Sequence, residues 1–267
     1  SQDRELHRLR GRACQVNVKQ ICNVLKNVFR TRVTSENQMP QTQFRRKEAG
    51  FTLVEIAIVL VIIGLLLGGI LKGQEMITQA RIKNLINDFN GITAAYFSYQ
   101  DRYKSAPGDD LSAATRWPVA TFPGMAAGDG NGALGGLYSD APPGALVIPA
   151  NESLAFWFHL RAAGFVAGAT AGQAAWTQPN NSVGGIVGVQ NNAFGAGGLV
   201  GLVLCSANVP DKIAGAVDTQ VDDQRPNGGQ LQAGVQTAVN QATAAATAPA
   251  AAYLEIGSTQ LVMCKTI

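Results

Sequence analysis

The sequence predicts an α+β protein: a long N-terminal helix, transmembrane in its first half and amphipathic in its second, packed on a small antiparallel β-sheet head. Three observations predict it. Phe51 to Leu71 is a run of 21 residues with a single charge, Glu55. Beyond it the apolar residues change from continuous to a spacing of three or four. After Pro107-Gly108 the chain turns to short apolar segments bounded by Gly, Asn or Ser.

The division that follows is 1–50 as a basic leader, 51–72 as the transmembrane half of the long helix, 73–104 as its amphipathic half, and 105–267 as the globular head. The first 50 residues hold 11 of the 21 Lys and Arg and 4 of the 18 Asp and Glu, a net charge of +7. The rest carries −4, so the mild basicity of the whole chain belongs to the leader and gives no argument for nucleic-acid binding. Arg45-Arg46-Lys47 precede the apolar run, which by the positive-inside rule keeps residues before 50 cytoplasmic and exports those after 71.

A helix of 21 residues reaches about 31 Å, the thickness of a bilayer core. Glu55 is the residue that an ordinary anchor leaves unexplained. An acidic side chain at the centre of a span costs about 2.5 to 3.5 kcal/mol, less near the edge, so it is a functional candidate whose natural partner is a positive charge. Two plainer readings compete. A secretory signal peptide has a shorter apolar region and a small-residue cleavage site, whereas this run ends Gly69-Ile70-Leu71-Lys72-Gly73-Gln74. A plain single-span anchor needs neither the glutamate nor a Gly-Phe junction.

The string RRKEAG-FTLVEIAIVLVIIGLLL resembles the N-terminal signature of type IV pilins and of the pseudopilins of type II secretion systems. The resemblance implies that a dedicated membrane peptidase cuts after Gly50, and that the new N-terminal residue, Phe51, is N-methylated. It also implies that Glu55 pairs with the N-terminal amine of a neighbouring subunit during assembly. These motifs cover about 30 of the 267 residues. A leader from Met39 to Gly50 has the short length usual in that family, so residues 1–38 read as an over-extended start. Their alternative is a real cytoplasmic extension, since Val18, Ile21, Cys22, Leu25, Val28 and Phe29 fall at helical spacing.

Ile82, Leu85, Ile86, Phe89, Ile92, Tyr96, Tyr99 and Tyr103 recur every three or four residues, with polar Lys83, Asn84, Asn87, Asp88 and Gln100 between them. One helix from Phe51 to Lys104 accommodates both halves, and Pro107-Gly108 ends it. Gly64, Gly68, Gly69 and Gly73 interrupt the apolar half. Small residues four apart permit close approach of helices and weaken the helix locally, and the resemblance implies that this region can melt on assembly.

In the head, Gly185 to Val189, Leu199 to Cys205, Tyr253 to Ile256 and Gln260 to Cys264 are the expected strands. A second helix is expected at Glu152 to Ala163, with Asn151 as N-cap, Gly164 past its end, and an apolar stripe of Phe156, Trp157, Leu160 and Ala163 facing the sheet. The order Ala106-Pro107-Gly108-Asp109, then Gly128-Asp129-Gly130-Asn131-Gly132, then ESLAFWFHLRAAG at 152–164 resembles a subgroup of pilin-like proteins. So does Ala216 to Gly229, through Asp218, Asp222, Asp223, Pro226 and Gly229. There Gln220 and Gln224 replace the subgroup's Lys and Gly, which puts in doubt any turn that needs glycine at 224.

Asp129 and Asn131, with Asp140 twelve positions into the loop, begin like a calcium-binding loop, and calcium is the one cofactor the sequence suggests. The middle departs from that pattern, with Ala133 and Leu134 where an oxygen ligand and a glycine belong, and an Asx/Gly turn is the simpler reading. Cys14 and Cys22 lie in the leader, which leaves Cys205 and Cys264 in an exported, oxidising compartment, expected as a disulfide closing the C-terminal part of the head, the alternative being free buried thiols in neighbouring strands. Many pilins have such a loop.

Catalysis is not expected. His7 is in the leader, His159 stands alone on the second helix, and no GxSxG, phosphate-binding loop or HExxH motif occurs. Two function classes remain. The first is a pilin or pseudopilin subunit, anchored once in the inner membrane with its head in the periplasm and assembled through its N-terminal helix. Its partners are then a prepilin peptidase and methyltransferase, other pilin-like subunits and an inner-membrane assembly platform. The second is a low-abundance minor pilin or membrane-anchored binding module whose head contacts a surface, a secreted protein or DNA. The head's acidic balance argues against DNA.

Overall fold

The computed structural model describes residues 52–142, 151–243, 252–254 and 256–267. By its contacts the chain falls into two units, 1–57 and 58–267. The first helix, α1, runs from Leu53 to Tyr103 without a break. Its 51 residues give it a length of about 77 Å. From Ile58 to Leu71 its side chains are exposed; further along, Ile82, Leu85, Phe89, Ile92, Ala95 and Tyr99 are buried. The heptad-like spacing read from the sequence is therefore the face that packs, with Ile86, Tyr96 and Tyr103 at its margins. Lys104 ends the helix in the left-handed region at φ 56°, one residue before the chain turns through Ser105, Ala106 and Pro107.

A one-turn helix, α2 (Ala113–Arg116), precedes α3 (Glu152–Ala162). α3 stops where expected, with Gly164 in the left-handed region at φ 79°. Asn151 stands at its N-cap without a capping side-chain bond. The expected apolar stripe understates its burial: every residue from Glu152 to Arg161 is buried, so α3 is a central helix and not a surface one.

The sheet follows: β1 (Val187–Ala193), β2 (Leu199–Pro210), β3 (Leu231–Gln236) and β4 (Gln260–Thr266). All pairs are antiparallel, in the order β1-β2-β4-β3. Between β2 and β3 lies α4 (Asp211–Val221). One sheet face joins α1, α3 and α4 in the main core, through Leu204, Val209, Leu231, Ala233, Leu261 and Met263. The other carries a smaller cluster of Tyr138, Phe194, Leu199, Val203 and Ala207 around Cys205 and Cys264. Leu204 and Val209 share a face although their spacing is odd. The register of β2 shifts between Ser206 and Val209, and Asn208 sits there at φ 56°, so a bulge reverses the alternation.

The expected strands differ in extent from the structure: β2 runs five residues past Cys205 and β4 two past Cys264, and the other two depart further. β1 starts two residues late and continues through polar Gln190 and Asn191, because Gly185 is pressed against the Ala207 carbonyl, where a Cβ would stand 1.9 Å from the oxygen. Tyr253 to Ile256 forms no strand among its described residues. Tyr253 instead lies over Gly215 of α4, with its hydroxyl donating to Asp218 at 2.6 Å. The Ile256 and Gly257 amides go to the Asp211 carboxylate at 3.2 and 2.5 Å. These groups bond acidic side chains of α4 in place of a ladder.

Candidate functional site

Gly50 and Phe51 lie outside the described residues, so the geometry begins at Thr52. Thr52 and Glu55 form a capping box at the start of α1. The Glu55 amide donates to Thr52 Oγ1 at 3.3 Å, while the Thr52 amide and hydroxyl both donate to Glu55 Oε2, at 3.1 and 3.0 Å. The signal for this is present in the sequence, where Thr52-x-x-Glu55 precedes an apolar run. The carboxylate thus has a local partner that holds it at the helix N-terminus, where the helix dipole also favours negative charge.

The apolar window of α1 is wholly exposed, and among the described residues α1 is the helix long and apolar enough to cross a membrane. No neighbour stands within 4 Å of the Cβ positions at Gly64, Gly68, Gly69 or Gly73, so those glycines relieve no crowding within the chain. A core helix of a soluble fold would bury this surface. This one offers it to lipid or to other chains.

Residues 45–71 match the family model described as the prokaryotic N-terminal methylation motif. This chain carries that motif. The match contains the basic cluster, Gly50, Phe51, Glu55 and the exposed apolar run, and it is consistent with the type IV pilin and pseudopilin families. No curated protein and no solved structure matches the chain.

Beyond the methylation motif, the three head segments that the sequence set in order are brought together. The Asp109 carboxylate, at the end of the Pro-Gly-Asp turn, accepts the backbone amides of Gly130, Asn131 and Gly132 at 2.5, 3.2 and 2.8 Å. Glu152, the first residue of α3, accepts those of Asp129 and Gly135 at 2.9 and 2.8 Å. The loop 128–135 is therefore wound round two buried carboxylates, which satisfy amides that no strand or helix would. Glycine is required at 128: a Cβ there would lie 2.3 Å from the Asp109 Cα.

His159 completes the clasp. Its Nδ1 accepts the Gly108 amide at 2.9 Å, and its Nε2 bonds the Ala126 carbonyl at 2.8 Å. Those partners fix the neutral tautomer with the proton on Nε2. Burial pushes its pKa down to about 4, against the opposing pull of the Ala126 carbonyl. The histidine is a core residue that ties α3 to both loops, and the Tyr99 ring is stacked 6.3 Å from it. Tyr99 also donates to Asp110 at 2.7 Å, and Arg116 closes an ion pair with the same carboxylate. Burial favours the neutral form of Asp110, but the bonds from Tyr99, Arg116 and the Ser112 amide outweigh it and hold the carboxyl below its ordinary value.

Of the three residues read as calcium ligands, the structure places Asp129 near Asp109 and Glu152, with ligand oxygens within 4.8 Å of one another. Asn131 donates to Asp129 at 3.0 Å from its amide and 2.7 Å from its side chain. Asp140 is not in that group; it accepts the Leu137 amide at 2.7 Å and the side chain of Asn151. The carboxylates grouped with Asp129 are thus Asp109 and Glu152, which come to the loop from elsewhere in the chain. A second acidic group, Asp218, Asp222 and Asp223, closes the turn after α4. Asp222 accepts the Gln230 and Leu231 amides at 2.6 and 2.8 Å. The turn that the sequence put in doubt does form, with Gln224 itself in the left-handed region at φ 64°.

Cys205 and Cys264 face each other across β2 and β4 and are joined as a disulfide, with Cα atoms 4.0 Å apart. Arg161 is a further structural residue that the sequence did not single out. It is buried and donates to the carbonyls of Ala174, Ala175 and Thr177, between 2.7 and 3.3 Å, holding the loop that follows α3.

Proposed function

We propose that the chain is a pilin-like subunit, processed after Gly50 by a prepilin peptidase, N-methylated at Phe51, and assembled through its N-terminal helix into a pilus or pseudopilus. The methylation motif at 45–71 carries this reading. The wholly exposed apolar window of α1 supports it, since an assembly helix needs a surface that trades lipid contacts for contacts with other helices.

The mechanism follows from the same residues. Before assembly, Glu55 is held by Thr52 in the capping box, one helical turn from the new N-terminal amine. In a dry bundle of helices an ammonium and a carboxylate attract far more strongly than in water, so the amine of one subunit finds the Glu55 of another as lipid is displaced. The head remains in the periplasm, braced by the Cys205–Cys264 disulfide. Inner-membrane anchoring and an assembly platform belong to the same proposal.

The direct test is filament recovery from cells that produce wild-type chain, Glu55→Gln and Glu55→Ala. Gln preserves an acceptor for the Thr52 amide and hydroxyl but removes the charge; Ala removes both. Normal processing with loss of both variants from sheared filaments supports the pairing. Wild-type recovery of Glu55→Gln would refute it.

A further inference from the structure

The start of α4 holds a feature that the assembly helix does not account for. Lys212, its second residue, is exposed and lines a cleft of about 410 Å³ with Leu71, Gln74, Glu75, Thr78 and Gln79 of α1. Lys72 bonds Glu75 at 2.9 Å; Glu75 also feels the charge of Lys212 across the cleft, but among the described residues no carboxylate is in direct ion-pair contact with Lys212. Beside it, the Asp211 carboxylate anchors the Ile256 and Gly257 amides. The segment so anchored exposes two large apolar side chains, Leu254 at 63 % and Ile256 at 66 %.

The height of this cluster is fixed by α1. Gln74 to Thr78 lie three to seven residues past the end of the apolar run at Leu71, which is about 4 to 10 Å along the axis. The headgroup layer adds about 5 to 7 Å on each side of a bilayer core. With Leu71 at the edge of the core, Lys212 stands at the level of lipid phosphates. Met76 and Ile77, 65 % and 56 % exposed, extend the apolar surface to the same level.

We propose that this end of the head docks on the membrane from which α1 emerges, with Lys212 on the phosphates of anionic lipids and Leu254 and Ile256 entering the interface. An apolar tip beside a cation is the arrangement by which peripheral segments bind anionic bilayers. A lysine near such a surface adds about 1 kcal/mol, and an ammonium makes a mobile point contact suited to headgroups that exchange. The docked face is continuous with the spanning helix, so no second partner is needed to bring it there. The docking rests on the reading of α1 as a membrane span. Its consequence is that an unassembled subunit keeps its head against the lipid, and incorporation into a filament must lift it off.

The test uses the mature chain, one copy per lipid nanodisc, labelled with an environment-sensitive fluorophore at Leu60→Cys, Val200→Cys or Leu254→Cys. The native cysteines are joined to each other and do not take label. Val200, 82 % exposed near the start of β2 and ten residues from Pro210, is the solvent control. In discs containing phosphatidylglycerol, position 254 is expected to be several-fold less open to an aqueous quencher than position 200, and Lys212→Glu is expected to abolish the difference. Quenching at 254 equal to that at 200, with 60 still protected, would overturn the docking and leave the span intact. Quenching at 60 would overturn the span and the docking together. Equal protection at 254 in pure phosphatidylcholine would overturn the role of Lys212. Protection that is missing with one copy per disc and appears only in discs loaded with two would assign the face to a second copy and overturn the lipid.

Discussion

His159 gives a prediction whose size follows from its surroundings. In the unfolded chain it titrates at the ordinary value of 6.5; in the folded head, between the Gly108 amide and the Ala126 carbonyl, it titrates at about 4. As pH falls below 6.5 the unfolded state takes up a proton that the folded state refuses. Stability is therefore lost from 6.5 down to 4 and levels off below. The full gap corresponds to about 3 kcal/mol, and about 2 kcal/mol of it is lost between pH 7 and pH 5. Asp110, held below its ordinary 3.8, loses its contribution only in stronger acid. Asp218, raised chiefly by burial, acts in the opposite sense, so the difference between two proteins is the quantity to read. His159→Gln cannot titrate and can still accept from Gly108 and donate to Ala126. Guanidinium unfolding of the full chain in detergent, followed by fluorescence of the buried Trp117, Trp157 and Trp176, should show wild type losing about 2 kcal/mol more than the variant from pH 7 to pH 5. Parallel pH profiles would refute the buried, neutral histidine.

Other outcomes follow from single contacts. Replacing Cys205 and Cys264 by Ser opens a loop of 59 residues and should cost about 4 kcal/mol on chain-entropy reasoning, read as a lower midpoint in guanidinium. Gln224→Gly removes a side chain from a left-handed residue and should stabilise the head by up to about 1 kcal/mol, the reverse of an average substitution. Gly128→Ala forces a Cβ into the backbone of Asp109, and its unfolding midpoint should fall clearly below wild type. Gly50→Ser, or a bulkier residue, is expected to block maturation while leaving membrane insertion intact, as seen by mobility on a denaturing gel.

How much was legible depended on whether the signal was local. The two halves of α1 could be read because one is apolar all round and the other repeats every three or four residues, from Ile82 to Tyr103. α3 was placed within a residue by its N-cap position and Gly164. β3 escaped because Leu231, Ala233 and Val235 alternate inside a stretch of Gln, Ala and Gly, with too little apolar surface to mark a strand; its Gln232 and Gln236 are themselves buried. α4 escaped because Gly215 interrupts it, a residue whose bare backbone the Tyr253 ring covers. In the clasp, the order of Gly108-Asp109, the 128–132 loop and Glu152 was visible, but its physical meaning was not. That two carboxylates and His159 hold the loop through its amides depends on contacts between residues 17 to 51 positions apart.

The central claim is that the working protein begins at Phe51. Intact mass and N-terminal peptide analysis of the chain from native membranes, with and without the host's prepilin peptidase, test it most directly. The account predicts a single species starting at N-methylated Phe51 when the peptidase is present, and an uncleaved chain when it is absent. A chain that keeps residues before Phe51 in both cells, or one cut after Leu71, would contradict it.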